Sequence, residues 1–216
     1  MTLLKVLCLH GYRQNADIFR EKTGGFRKSL KKFCEFSFLC APNMVENSTA
    51  NDCAWWFSNP QGFSAQEYSD YDAGLRESLA IVKKHMEEEG PFDGIIGFSQ
   101  GAAFLLILQI IMEHKLYDFS DWNMKPIKFT VLVAPFLSRC SLHKNIYAYK
   151  STMPSLIVCG KTDSVISREM TDEILDIFLS KPQVFLHDGG HYIPTHGEAK
   201  QAYTDFISSF IDQKKL

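Results

Sequence analysis

One serine stands between two glycines in the segment GFSQG, where Gly97 and Gly101 each lie two residues from Ser99. The preceding run FDGIIG reads as a buried strand, and the following run QGAAFLLILQ reads as a buried helix. On a tight strand-to-helix turn the serine hydroxyl is exposed above the sheet, while the glycines let strand and helix approach closely. The N–H groups that begin the helix favour negative charge developing nearby. The pattern therefore predicts that Ser99 is a nucleophile for acyl transfer.

A serine nucleophile needs a base, and the chain has seven histidines. Around a serine of this kind the triad follows the order Ser, acid, His, with the histidine on the loop after the last strand. The segment QVFLHDGGHYIP reads as a strand followed by Gly189 and Gly190, which allow the loop to fold back sharply. We therefore predict that His191 is the base, whereas His187 ends the strand and His196 starts the last helix.

The acid of the triad must lie between Ser99 and His191 in sequence. Asp163 follows the apolar run SLIVCG, at the kind of strand end where α/β proteins build their sites. Asp188 is too close to His191 in sequence for an easy approach to its ring. We predict Asp163 as the acid, against the alternative that it only caps a helix starting near Ser167.

An oxyanion hole needs two backbone N–H groups aimed at the developing charge. One is predicted to belong to Gln100, which directly follows the nucleophile. The other is predicted to belong to Tyr12, because the first strand ends at His10 and Gly11, and glycine permits a backbone conformation that turns the next N–H inward. His10 is interpreted as a turn-stabilising residue rather than a catalytic one.

The elements around these residues favour an α/β fold. Short apolar runs alternate with longer segments of helical period, which predicts a mainly parallel sheet of about six strands with helices on both faces. The predicted strands are Leu3–Leu9, Phe36–Cys40, Gly94–Gly97, Phe129–Val133, Leu156–Cys159 and Val184–Leu186. The predicted helices are Ala16–Phe33, Tyr71–Glu89, Gln100–His114, Ser167–Leu179 and Glu198–Asp212. The length of 216 residues fits a single domain over 1–216.

The connection at about residues 42–69 is long and rich in Asn, Ser and aromatic residues, which predicts a lid-like insertion. Its large rings have two interpretations: they anchor the loop in the core, or they line an apolar pocket for an acyl chain. The predicted pocket wall comprises Tyr12, Trp55, Trp56, Phe136, Ile166, Tyr192 and Ile193.

The composition argues against several classes of protein. A formal net charge of -2 gives no electrostatic reason to expect nucleic acid as a partner. The most apolar segment, GAAFLLILQIIM, is too short to cross a bilayer, and the N-terminal apolar run reaches His10 too soon for a signal peptide. The six cysteines lack the spacing of zinc sites or of a disulfide scaffold. We expect a soluble protein of a reducing compartment, the cytoplasm or additionally the nucleus.

Six segments together resemble one known family: LCLHGYRQN, FREKTGGFRK, AWWF, GPFDGIIGFSQGAA, GKTDSVIS and HDGGHYIP. From about Leu4 to Phe210 the chain is similar to the "family of serine hydrolases", which has fungal and animal members. The resemblance implies an α/β-hydrolase fold, a triad of the same three residues predicted above, and carboxylesterase activity on medium or long acyl chains. The chain departs from the family at VAPF and at Asp188, and both departures touch the predicted pocket wall.

These observations predict a hydrolase that works through an acyl-enzyme. His191 takes the proton of Ser99, the serine attacks an ester carbonyl, and Asp163 holds the imidazole in the required tautomer. The expected partner is a small-molecule acyl ester, and the mechanism requires no metal or organic cofactor. Two alternatives remain: an acyl thioesterase, which shares the triad chemistry, and a non-catalytic module that keeps the fold and binds a ligand.

Overall fold

A computed structural model of the chain describes residues 3–46, 48 and 51–211. The strands are β1 (Leu4–Leu9), β2 (Cys34–Leu39), β3 (Asn43–Met44), β4 (Cys53–Ala54), β5 (Gly94–Phe98), β6 (Phe129–Val133), β7 (Ser155–Gly160) and β8 (Gln183–His187). Six of them form one parallel sheet in the order β2-β1-β5-β6-β7-β8, while β3 and β4 form a separate antiparallel pair. The six predicted strands are thus confirmed, each with bounds within two residues.

Burial explains why the central strands are the most apolar ones. Every residue of β5, β6 and β7 is buried, because helices cover both faces of a parallel sheet. The outer strands β2 and β8 are only partly buried, and their sequences CEFSFL and QVFLH carry polar residues accordingly.

The helices are α1 (Ala16–Lys22), α2 (Gly24–Leu30), α3 (Leu75–Glu89), α4 (Gln100–His114), α5 (Lys144–Tyr147), α6 (Arg168–Asp172) and α7 (Gly197–Ser208). Right-handed crossovers place α1 and α2, between β1 and β2, on one face, and α4, between β5 and β6, on the other. The core of the second face is α4, in which every residue from Gln100 to Met112 is buried.

Four predicted helices differ from the observed ones, and the last of them, α7, ends at Ser208 rather than at the predicted Asp212. The first is divided at Thr23, whose hydroxyl bonds back to the carbonyl of Phe19 and ends α1 before the two glycines that begin α2. The predicted start at Tyr71 moves to Leu75, because Gly74 adopts a positive φ of 89° in front of α3. The fourth predicted helix continues from α6 as a 3-10 turn, Glu173–Ile177.

In its described residues, the connection between β2 and α3 contains the β3–β4 pair and otherwise consists of turns, bends and irregular backbone. Residues 47, 49 and 50 of the predicted insertion, and Asp212 at the end of the last predicted helix, lie outside the described residues. Among the helices that the structure describes, none combines the length and hydropathy needed to span a bilayer.

Candidate active site

The carboxyl ends of parallel strands meet at one edge of a sheet, and the direction of winding reverses between β1 and β5. The segments that follow β1, β5, β7 and β8 therefore converge there. The segment after β1 carries the predicted oxyanion-hole residue Tyr12, and the segment after β5 carries the nucleophile Ser99. The segments after β7 and β8 carry the acid Asp163 and the base His191.

Ser99 occupies a strained turn between β5 and α4, with φ 53° and ψ -119°. A Cβ at Gly97 would lie 2.4 Å from the carbonyl oxygen of Gly101, and a Cβ at Gly101 would lie 2.4 Å from that of His10. Close backbone approach therefore accounts for both glycines of GFSQG. The Ser99 N–H donates to the carbonyl of Val133 at the end of β6 over 2.9 Å, which ties the turn to the sheet.

The three side chains predicted as a triad lie in hydrogen-bonding contact. Ser99 Oγ is 2.9 Å from His191 Nε2, and Asp163 Oδ2 is 2.8 Å from His191 Nδ1. The other oxygen of Asp163 accepts the N–H groups of Val165 and Ile166 over 2.9 and 2.8 Å. These two backbone bonds fix the carboxylate so that its free oxygen faces the imidazole.

The turn after β7 and the loop after β8 hold each other in place. A Cβ at Gly160 would lie 2.3 Å from the carbonyl oxygen of Gly189, so the histidine loop crosses directly over the end of β7. The N–H of Thr162 donates to Gly189 over 3.2 Å, and the ring centroids of His191 and Phe98 lie 4.9 Å apart. Asp188, in contrast, points outward and pairs with Lys161 at 2.6 Å.

His10 fixes the peptide that carries the predicted Tyr12 donor. Its Nε2 accepts the N–H of Ala41 over 3.0 Å, so Nδ1 carries the proton and donates to the carbonyl of Gly11 over 2.8 Å. Because C=O and N–H point in opposite directions across a planar trans peptide, this bond sets the direction of the Tyr12 N–H. Burial lowers the pKa of His10 to about 4, which keeps its ring neutral at pH 7.

The side chain of Gln100 has a role that sequence reasoning missed. Its Oε1 accepts the N–H of Trp55 over 2.9 Å, and its Nε2 donates to the carbonyl of Trp56 over 2.7 Å. The fully buried amide thus clamps the insertion to the residue after the nucleophile. No local pattern signals this contact, because the partners are 44 or more residues apart.

The predicted pocket aromatics divide into a buried anchor and a partly open group. Trp55 is fully buried, stacks on Phe104 with ring centroids 4.7 Å apart, and donates to the carbonyl of His10 over 2.7 Å. Phe63 instead contacts the rings of Tyr12, Trp56 and Phe136 at 5.4, 5.0 and 6.1 Å. Tyr12 and Phe63 are half-buried, whereas Trp56, Phe136 and Ile166 are buried.

A cavity of about 890 Å³ lies beside His191, between the α1–α2 region and the loop after β8. Its wall is mixed in character, with Lys22, Lys161 and Glu198 as well as Phe19. Two of the predicted pocket residues, Tyr192 and Ile193, line this cavity, and the other five do not.

A second Ser–His–Asp group lies between the insertion and the segment after β6. His143 Nδ1 is 2.8 Å from Ser138 Oγ, and its Nε2 lies 3.4 Å from an oxygen of Asp72 without forming a hydrogen bond. Ser138 Oγ also accepts the N–H of Cys140 over 3.2 Å. Burial lowers the pKa of His143, whose side chain is 1% exposed.

Metal-ligating side chains do not cluster in the part of the chain that the structure describes. Across residues 3–46, 48 and 51–211, no three or more His, Cys, Asp or Glu side chains are grouped so that they could hold a metal ion. The six cysteines are free thiols.

Comparison with known proteins places the chain among hydrolases. A family model described as "Serine hydrolase (FSH1)" matches residues 1–203. A zebrafish (Danio rerio) protein named Esterase OVCA2 is 40% identical, covering 96% of this chain and 97% of the relative. The Caenorhabditis elegans protein named Esterase C25G4.2 is 36% identical, covering 98% of this chain and 96% of the relative.

Solved structures at lower identity support the fold. Arabidopsis thaliana SOBER1 superposes with a TM-score of 0.66 at 17% identity, covering 98% of this chain and 100% of the other. Zea mays acyl-protein thioesterase 2 superposes with a TM-score of 0.64 at 21% identity, covering 97% and 94%. The predicted fold of a parallel sheet with helices on both faces is therefore confirmed.

Proposed function

This chain belongs to the FSH1 family of serine hydrolases, and on that premise we propose that it cleaves carboxylic esters with medium to long acyl chains through a covalent acyl-enzyme. The observation that carries the proposal is the continuous hydrogen-bonded series Ser99–His191–Asp163, with atom separations of 2.9 and 2.8 Å. Ester cleavage also agrees with the names of the relatives, which are esterases.

In the proposed reaction His191 Nε2 accepts the Ser99 proton while Ser99 Oγ attacks the ester carbonyl. Asp163 keeps the proton on Nδ1 and stabilises the imidazolium that forms. The oxyanion accepts the N–H groups of Tyr12 and Gln100, which direct positive partial charge at it. The imidazolium then protonates the leaving alcohol, and water activated by the same histidine hydrolyses the acyl-enzyme.

We assign the two sides of the ester to two different surfaces. The leaving group must lie on the His191 side, since that histidine protonates it, so the mixed cavity beside His191 with Tyr192 and Ile193 suits the alcohol. The acyl chain would then lie along the half-buried rings of Tyr12 and Phe63, with Trp56 and Phe136 packed against Phe63 and with Ile166 next to Asp163. An acyl site requires such apolar walls with few polar groups.

The test is the specificity constant kcat/KM across esters of graded acyl length with one constant leaving group. Each buried methylene contributes about 0.8 kcal/mol at most, so kcat/KM should rise by up to about fourfold per carbon until the apolar wall ends. Absence of any rise from acetyl to octanoyl esters would refute the assignment of chain length. The same series measured with thioesters tests the thioesterase alternative. That alternative predicts a higher kcat/KM for a thioester than for the ester of the same acyl chain.

Two variants separate a pocket wall from an anchor. Phe63→Ala should flatten the rise with acyl length more than it lowers the rate on an acetyl ester. Trp55→Ala removes a fully buried ring and should lower the free energy of unfolding by about 3–5 kcal/mol. Equal losses of both substrates in a folded Phe63→Ala protein would show that this ring is structural.

We further propose that residues 1–216 form one domain, in which the 42–69 insertion is a docked wall rather than a free lid. Gln100, Asn43 and Ser78 bond the described part of that insertion to α3 and α4. A cytoplasmic location is likewise proposed, on the basis of six free thiols.

A further inference from the structure

Two cysteines outside the triad face each other next to the oxyanion loop. The sulfur atoms of Cys40, which follows β2, and Cys53, which begins β4, lie 3.4 Å apart. Both are free thiols, Cys40 half-buried and Cys53 only 3% exposed. Sulfurs in a disulfide are about 2 Å apart, so a movement of about 1.4 Å would join them.

The backbone next to each sulfur supports the loop that carries the Tyr12 N–H. The N–H of Cys53 donates to the carbonyl of Gln14 over 2.8 Å, and its carbonyl accepts the N–H of Arg13 over 3.1 Å. On the other side, Cys40 precedes Ala41, whose N–H holds the ring of His10. A covalent link between the sulfurs would therefore connect the two supports of this loop.

We infer that Cys40 and Cys53 form a reversible disulfide when the protein meets hydrogen peroxide, and that this bond lowers catalytic turnover by displacing the Tyr12 N–H. The effect on turnover rests on the proposed function, whereas the formation of the disulfide does not.

The sulfur of Cys40, the less buried of the two residues, begins the reaction. It attacks one oxygen of the peroxide, the O–O bond breaks, the other oxygen leaves as water, and Cys40 becomes a sulfenic acid. The Cys53 sulfur then attacks the Cys40 sulfur, the S–O bond breaks, and the hydroxyl leaves as a second water with the Cys53 proton. The two sulfurs supply the two electrons that reduce the peroxide.

The environment of Cys53 assigns it to the second step. Burial, followed by its contact with Cys40, raises the pKa of the Cys53 thiol to about 12, so it keeps its proton at pH 7. A buried thiol of this kind is a poor first nucleophile but stands in contact with the sulfenic acid once that has formed.

The expected consequence is a fall in kcat with little change in KM, because an oxyanion donor acts mainly in the transition state. Complete loss of one such donor lowers kcat about 10²–10³-fold, and a displaced donor should cost about tenfold. Dithiothreitol should restore the original kcat.

The experiment treats the full-length protein with hydrogen peroxide, alkylates the remaining thiols, and locates the linked peptides by mass spectrometry. Wild type should show a Cys40–Cys53 link and a reversible fall in kcat. The Cys40→Ser and Cys53→Ser proteins should show neither the link nor the fall in kcat. The control is Cys140→Ser, which replaces a buried cysteine elsewhere in the fold and should behave as wild type.

Full alkylation of both cysteines after peroxide, or a link to another cysteine, would overturn the disulfide. A Cys40–Cys53 link with unchanged kcat would overturn its effect on the oxyanion loop. The Ser99→Ala protein should form the same link, so the disulfide can be tested even if the proposed hydrolysis fails.

Discussion

Two groups in this molecule contain the same three residue types in different surroundings. In the first, Ser99, His191 and Asp163 follow three strands of one sheet and form two hydrogen bonds of 2.9 and 2.8 Å. In the second, Ser138 and Asp72 lie in irregular segments on either side of His143, and the His143 ring forms no hydrogen bond with Asp72. The residue types alone therefore do not distinguish an active site from a structural contact.

The difference lies in the backbone and in access to solvent. Ser99 has a positive φ of 53° at the start of a 15-residue helix, whereas Ser138 does not share this conformation and accepts a backbone N–H two residues along. The base of the first group is 19% exposed, and that of the second is 1% exposed. A substrate can reach only the first histidine, while the second is enclosed between Ser138 and the ring of Trp56 in the insertion.

Replacing the two serines in turn gives the largest contrast. Ser99→Ala should fold normally and lose on the order of 10⁴-fold or more in kcat/KM, because the nucleophile is absent. Ser138→Ala should keep kcat/KM within about threefold of wild type. Hydrolysis of a medium-chain ester and labelling with a fluorophosphonate probe would measure both.

Retention of a tenth of the wild-type rate by Ser99→Ala would remove this serine as the nucleophile. A loss in Ser138→Ala of similar size to that in Ser99→Ala, in a protein with an unchanged unfolding midpoint, would contradict the structural interpretation of the second group.

The acids provide the next contrast. Asp163→Asn leaves the shape of the side chain but favours the wrong tautomer of His191, so kcat should fall about 10⁴-fold. Asp72→Asn should have little effect on kcat. Asp188, with a side chain that is 91% exposed, is the matched control near the active site, and Asp188→Asn should also be nearly silent. A larger loss in Asp188→Asn than in Asp163→Asn would show that the acid has been misassigned.

The sequence could predict the elements of the first group because each of its residues lies within four residues of the end of a strand whose pattern the sequence shows. Parallel strands end at one edge, so three distant segments can be placed together without knowledge of side-chain packing. The glycine spacing of GFSQG adds a local constraint, which the structure explains by backbone contacts of 2.4 Å.

Such reasoning could not predict the second group or the way in which the insertion packs against the rest of the fold. Ser138 and Asp72 lie in irregular backbone and His143 in a 3-10 turn, so no periodicity marks them, and the approach of His143 to Asp72 depends on how the connection before α3 packs. The same packing buries Trp55 against α4 through the Gln100 side chain, so pattern alone could not separate an anchoring ring from a pocket ring. The mixed cavity beside His191 was likewise missed, since residues from α1, α2 and the last loop form it together.

The smallest expected effect concerns stability rather than catalysis. Burial lowers the pKa of His143 in the folded protein, whereas the unfolded chain protonates this histidine near pH 6.5. The unfolded state therefore binds more protons as the pH falls below 6.5, and the stability present above that pH is progressively lost. At pH 5.5 this contribution is at most about 1.4 kcal/mol. His143→Gln removes the titrating group, so the difference between its free energies of unfolding at pH 7.5 and pH 5.5, measured with urea, should be smaller than in wild type by up to that amount. Its kcat/KM at pH 7.5 should stay within about threefold of wild type.

His10→Gln is the matched control. His10 also has a lowered pKa, about 4, so its loss should likewise reduce the acid sensitivity of the protein. This variant should lower kcat as well, because the His10 ring directs the Tyr12 N–H. An unchanged acid sensitivity in His143→Gln would mean that His143 already carries its proton in the folded state, paired with Asp72.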